Sequence, residues 1–344
     1  MSDHGQTANP ITATVDFDRD GLQHGFLRLP YSRDDSAWGA IMIPVTVARN
    51  GEGPTALLTG ANHGDEYEGP IALMNLASSI DATMLAGRVI MVPAMNLPAF
   101  RAATRTSPID KGNLNRTFPG RPNGTVTEKI ADYFQRTLLP LADIVLDIHS
   151  GGRTLEFLPF CCAHRLSDRA QEQACIAAME AFNAPYSMML LEIDNKGMYD
   201  TAAEEMGKVF ISTELGGGGT TSARTTAIAK RGIRNLLIHA GILKEKPERT
   251  GTIVLDVPSG DCFTFSEHEG LIEPCIDLGH SVARGDLIAR IWPIERTGVA
   301  PADYHAKNAG VVVGRHFPGL VKMGDCISVL ATLVLRGKSA SGQS

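Results

Sequence analysis

Much of what this chain lacks narrows its class before any motif is read. No apolar run approaches the roughly 20 residues that cross a bilayer, so no membrane span is expected. Basic residues are not in excess: 32 Lys and Arg stand against 38 Asp and Glu, a formal charge of -6. That balance argues against a nucleic-acid partner and against a membrane-surface role. The opening MSDHGQTANP has neither the basic nor the apolar part of a secretory signal, which points to the cytoplasm. Six cysteines, at 161, 162, 175, 262, 275 and 326, include no C-x-x-C pair. A closed structural zinc site is therefore not expected, and the cysteines read as reduced core thiols. That reading extends to the adjacent Cys161 and Cys162, in preference to a redox pair.

What is present is enough apolar material for a substantial core, 43% of 344 residues. That length suits two domains, or one large domain with an appendage. Residues 1–45 read as a β-rich N-terminal extension. From 46 to 246 short apolar runs alternate with helical periodicity, which predicts a mostly parallel, mixed sheet with helices on both faces. Pro54–Thr59, Arg88–Pro93, Ile144–His149, Ser187–Leu191 and Val209–Glu214 are among its expected strands. Thr125 and Glu128 form a capping-box pattern opening a helix through Leu138. Between Met95 and Thr125 lies a long stretch expected to be irregular, and loops of that length are usually functional. From 247 to 335 short β runs take over. Two of them place Gly-Asp before an apolar strand, the pattern of a lipoyl- or biotinyl-like β-barrel, although no carrier-lysine tripeptide accompanies it. Residues 336–344 read as a tail.

The chemistry gathers at strand ends. TGANHGDEYE, from Thr59 to Glu68, follows the apolar Ala56-Leu57-Leu58 and precedes a helix. Within it His63 and Glu66, three residues apart, can reach one cation from a single turn of chain. His149, in Asp147-Ile148-His149, closes a second apolar run. Two histidines and one glutamate leave a coordination position open, as catalytic zinc sites commonly do. Asp147 projects to the same side of its strand as His149, where it either orients that ring or caps a neighbouring helix. The other eight histidines show no ligand spacing and read as ordinary surface or core residues. Arg105 and Arg116 stand in the long stretch, the second preceded by Asn115, and arginine's planar fork suits carboxylates and developing oxyanions. Glu214 ends the run Val209-Phe210-Ile211 and is followed by Gly216 to Gly219, which let backbone approach a ligand closely. An acid so placed is a candidate base for activating water.

In this order, His63 with Glu66, Asn115-Arg116, Asp147-Ile148-His149 and Glu214-Leu215-Gly216 resemble the succinylglutamate desuccinylase/aspartoacylase family over roughly residues 40 to 245. The resemblance implies a zinc-carboxypeptidase-like catalytic domain with a C-terminal β domain, and a deacylase of a small N-acyl amino acid. One Zn2+ per chain would be held by His63, Glu66 and His149. Glu214 would be the general base, Arg105 would polarise the scissile carbonyl, and Asn115 with Arg116 would hold the substrate carboxylate. Further stretches, such as GANHGDEYEGP and TEKIADYFQRTLLP, look like that family's ectoine-degradation branch, which implies Nα-acetyl-L-2,4-diaminobutyrate as the substrate. Aspartoacylase- or desuccinylase-type deacylation and metallocarboxypeptidase activity are the alternatives. A diaminobutyrate side chain ends in an ammonium, which calls for an acid in the pocket. The acidic stretch from Leu191 to Glu205 offers several, with Glu192 and Asp194 foremost because they directly follow a strand. A homo-oligomer is left open.

Overall fold

The computed structural model describes residues 8–191 and 194–334. Its central strands are Gly87–Val92, Thr55–Gly60, Ile144–His149 and Val209–Glu214, hydrogen-bonded in that order and parallel to one another. They read as nearly unbroken apolar runs because both faces of the sheet are covered. Successive side chains point to opposite faces. Leu57, Ile90, Val145 and Phe210 enter one core with Phe134 and Leu138. Their neighbours Leu58, Met91, Leu146 and Ile211 enter the other, against Leu73 of helix Glu68–Ser79 and Ile228 and Leu236 of helix Ala223–His239. Alternation along each strand thus makes two cores from one sheet.

On one side the sheet is extended by Ala40–Asn50 and Gly21–Pro30, both antiparallel. On the other, Phe160–Ala163 runs antiparallel to the Glu214 strand, and Tyr186–Met189 follows it in parallel. The Thr125–Glu128 capping box is present and opens helix Val126–Tyr133, which continues as a π turn over Phe134–Leu138. The stretch from 95 to 125 is less irregular than its composition suggests: Leu97–Ala102 is a helix and Leu114–Arg116 a 3-10 turn. Tyr199–Glu205, within the acidic stretch, is also helical.

The C-terminal strands form no closed barrel among the described residues. Ile253–Asp256 instead joins the large sheet beside Tyr186–Met189, and Cys326–Leu333 and Gly310–His316 carry the sheet onward. An apolar strand such as Tyr186–Met189 would be a sticky edge if left uncovered, and the C-terminal segment covers it. Phe160, Met188, Leu255, Val313 and Val329 pack together across the join. The remaining strands, Gly270–Pro274, Leu287–Trp292, Ala302–His305 and Leu320–Val321, form a separate antiparallel sheet of four. No helix among the described residues is long and apolar enough to cross a membrane. Glu192 and the tail at 336–344 lie outside the described residues.

Candidate active site

Three adjacent parallel strands end together, and their carboxyl ends carry the polar groups. Glu214 and His149 are register partners on neighbouring strands, and Thr59 is the partner of Asp147 on the third. Beyond Gly60 the chain turns sharply, with Ala61 at φ 50°, and brings His63 and Glu66 back over the strand ends. Gly64 is required in that turn. A Cβ there would stand 2.0 Å from the Ala99 backbone, so only glycine lets the turn lie against helix Leu97–Ala102.

His63 Nδ1 lies 2.8 Å from Glu66 Oε1, and His149 Nδ1 lies 2.8 Å from Glu66 Oε2. One ligand atom from each of the three residues falls within 4.8 Å of the others, a spacing that can hold a metal ion. Asp147 is wholly buried and takes three partners: His149 Nε2 at 2.7 Å, Thr59 Oγ1 at 2.7 Å and Asn62 Nδ2 at 2.9 Å. The sequence left its role open between orienting a ligand and capping a helix. The geometry chooses the first, because its bond to Nε2 turns Nδ1 of His149 toward Glu66.

Electrostatics follow from burial and contact. Burial by itself would lower His149, but Asp147 and Glu66 outweigh it and hold the ring well above the usual imidazole range. His63 is lowered, chiefly by burial and also by Arg105 and His149, against the raising effect of Glu66. Burial opposes ionisation of Glu66, yet the two imidazoles bring its carboxyl well below the usual range. Glu214 goes the other way: burial, followed by the charge of Glu66, pushes it up to about 8. Its Oε2 is buried and has no hydrogen-bond partner among the described residues.

A cavity of about 340 Å³ opens over these groups, a size suited to a small molecule. Arg105, Asn115, Arg116, Asp194 and Glu214 all line it with His63 and His149. Arg105 Nη1 is 3.4 Å from His63 Nδ1 and 3.8 Å from Glu66 Oε1, beside the ligand set. Asn115 Oδ1 accepts a hydrogen bond from the Tyr199 backbone at 3.0 Å, which anchors the Arg116 segment to helix Tyr199–Glu205. Asp194 is exposed, and its carboxylate stands 4.0 Å from Arg116 Nε. The opposite wall is apolar and comes largely from the C-terminal half, including Phe263, Val313 and Val329.

Several polar residues escaped the sequence reading. Thr59 and Asn62 sit inside the very stretch that drew attention, and their signal was polarity at an otherwise apolar strand end. Glu68 is buried, raised by that burial, and hydrogen-bonded through Oε1 to Thr225 at 2.9 Å. His164, read as ordinary, is buried at the cavity and paired with Glu204 at 2.9 Å. Asp200 is buried at the cavity as well.

A His-Glu-His set with an acid opposite, at parallel strand ends, agrees with the sequence comparison: the succinylglutamate desuccinylase/aspartoacylase catalytic domain matches residues 52–240. The chain belongs to that family. Among characterised relatives, it is 54% identical to the Nα-acetyl-L-2,4-diaminobutyric acid deacetylase of Halomonas elongata over 332 residues, 96% of this chain and 97% of that one. It also resembles the product-bound ectoine utilization protein EutE (DoeB) of Ruegeria pomeroyi, with 65% identity and a TM-score of 0.94 over 95% of this chain and all of that one. A succinylglutamate desuccinylase structure from Silicibacter sp. is 62% identical, with a TM-score of 0.93 over 96% of this chain and all of that one.

Proposed function

We propose that this protein is a zinc-dependent deacetylase that hydrolyses Nα-acetyl-L-2,4-diaminobutyrate to L-2,4-diaminobutyrate and acetate, a step of ectoine breakdown. The observation that carries the reading is the convergence of His63, Glu66 and His149 on one point, beside Arg105 and Glu214, whose Oε2 has no partner among the described residues. The donor set fits the ion: two imidazoles, which give up a proton to bind metal, and one carboxylate suit zinc, and Asp147 on His149 supplies the outer contact such ligands usually have. Zinc held there supplies a Lewis acid that acidifies water and polarises a carbonyl.

The protein's own groups do the rest. Glu214, at the end of its strand, takes a proton from the attacking water and returns it to the departing amine nitrogen. In the metal-free chain burial, followed by the charge of Glu66, raises this carboxyl above the usual carboxylate range, the direction that suits a group which gives back the proton it takes. Arg105 stabilises the negative charge growing on the carbonyl oxygen, a contribution of about 3 kcal/mol for a well-aimed donor. Arg116 and the side-chain NH2 of Asn115 hold the substrate carboxylate, since Asn115 has committed its oxygen to Tyr199.

The relatives' names divide between diaminobutyrate and succinylglutamate, and the charge of the cavity favours the first. A succinylated glutamate brings additional carboxylates and calls for additional arginines. Arg105 and Arg116 are the arginines in the lining, and acids share it with them. The test incubates the zinc-loaded protein with Nα-acetyl-diaminobutyrate, N-acetylaspartate and succinylglutamate and measures the acid released. Acetate from the first, at a kcat/KM well above the other two, is expected. Faster release of succinate would replace this reading with a desuccinylase.

A further inference from the structure

We infer that Asp200, rather than Asp194, is the specificity-determining carboxylate that receives the substrate's side-chain ammonium. The inference rests on the diaminobutyrate reading above and names the subsite that reading requires.

The acids of this stretch separate by what each already touches. Asp194 is exposed, and its nearest cation is Arg116 at 4.0 Å, so its charge faces the group proposed to hold the carboxylate. Glu204 is paired with His164 at 2.9 Å. Glu205 is exposed and does not line the cavity. Among the described acids of this stretch, Asp200 alone combines burial, at 6% exposure, with a place in the cavity wall. Its Oδ1 is occupied, accepting from Thr201 N at 2.5 Å and Thr201 Oγ1 at 3.3 Å. Its Oδ2 has no partner among the described residues. That oxygen is not sealed from solvent, and Asp200 lines the cavity, so the carboxylate keeps an acceptor free for a cation that enters there.

A helix start alone would explain an aspartate here, because acids suit the first turn. It does not explain why that aspartate is buried in a ligand-sized cavity with one oxygen unused. The frame is also right for a short amino acid. Tyr199 N bonds Asn115 Oδ1 at 3.0 Å, and Phe118 N bonds Gly197 O at 3.0 Å. These two bonds tie the Arg116 segment to the start of the Asp200 helix. Carboxylate and ammonium recognition are thus built on one clipped unit, as a substrate carrying both charges within a few bonds needs. The ligand class is a primary ammonium on a short aliphatic arm.

The test compares kcat/KM for Nα-acetyl-diaminobutyrate with that for its uncharged isostere, Nα-acetylnorvaline, in the zinc-loaded wild type and in Asp200→Asn. The expected result is a wild-type preference for the amine that falls ten- to a hundredfold in the variant, the range of a charge-assisted contact. Asp194→Asn is expected to shift the ratio far less. A preference that survives Asp200→Asn while the wild type turns over the amine overturns the role of Asp200 and leaves the proposed function standing. A wild type that releases no acetate from the amine overturns both. Should Asp200→Asn not fold, Asp200→Ser carries the same comparison, and a preference surviving in it is equally decisive.

Discussion

Replacing Glu214 with Gln in the metal-stripped protein should stabilise the fold, and by an amount that depends on pH. In the folded chain burial, followed by the charge of Glu66, lifts the Glu214 carboxyl from 4.5 to about 8. Between those values the folded state keeps the proton while the unfolded chain gives it up. Stability is therefore lost as pH rises through that window, and it levels off above about 8. At about 1.4 kcal/mol per pH unit the ceiling is near 5 kcal/mol. The side chain is only partly buried, and solvent screening brings the expected effect to about 2 to 3 kcal/mol. A neutral amide removes the penalty. Urea unfolding of wild type and Glu214→Gln in chelator, from pH 4 to 9, reads the difference directly. The two should coincide most closely near pH 4 and diverge steadily toward pH 8, with the variant the more stable. Parallel curves across that window would refute the electrostatic account of this residue. With zinc restored, the same variant should keep its metal and lose turnover.

Asp147→Asn should weaken zinc affinity roughly 10- to 100-fold, measured by competition with a chromogenic chelator, because His149 loses the group that orients its ring. Arg116→Lys should raise KM more than it lowers kcat, since an ammonium cannot reproduce the planar fork; equal loss on a substrate whose carboxylate is capped as an amide would refute the contact. Thr125→Ala removes a capping box and should cost about 1 kcal/mol in denaturant unfolding while leaving kcat/KM near the wild-type value.

The candidate constellation was legible because its members follow apolar runs. His63 and Glu66 follow Leu57-Leu58, His149 follows Val145-Leu146, and Glu214 follows Phe210-Ile211; a parallel sheet gathers such ends on one side. The acidic stretch was harder. Its composition suggests a solvated loop, and only the packing of Tyr199, stacked against Phe118 and edge-on to Phe134 and Phe210, explains a helix there and buries Asp200 beside it. The C-terminal strands misled for a related reason. Their Gly-Asp turns speak of local hairpins, whereas the pairing of Ile253–Asp256 with Tyr186–Met189 depends on an edge formed more than sixty residues earlier. Local signals fix where a strand is, and distant ones decide what it pairs with.

The apolar wall supplied from the C-terminal half has a consequence in time. During synthesis Phe160 and Met188 leave the ribosome roughly 140 to 170 residues before Val329, their partner in the finished cluster. At about 5 to 20 residues per second, that interval lasts on the order of 10 to 30 s. For the first part of it, until Ile253–Asp256 emerges, Tyr186–Met189 lacks its covering strand, and throughout it the cavity lacks the part of its far wall that Val329 supplies. The three residues of the candidate metal site, all made by position 149, leave the ribosome long before the last residues of the cavity wall. The candidate site is thus synthesised before its enclosure, and the newborn chain passes through a stage at which an apolar edge awaits its covering strand.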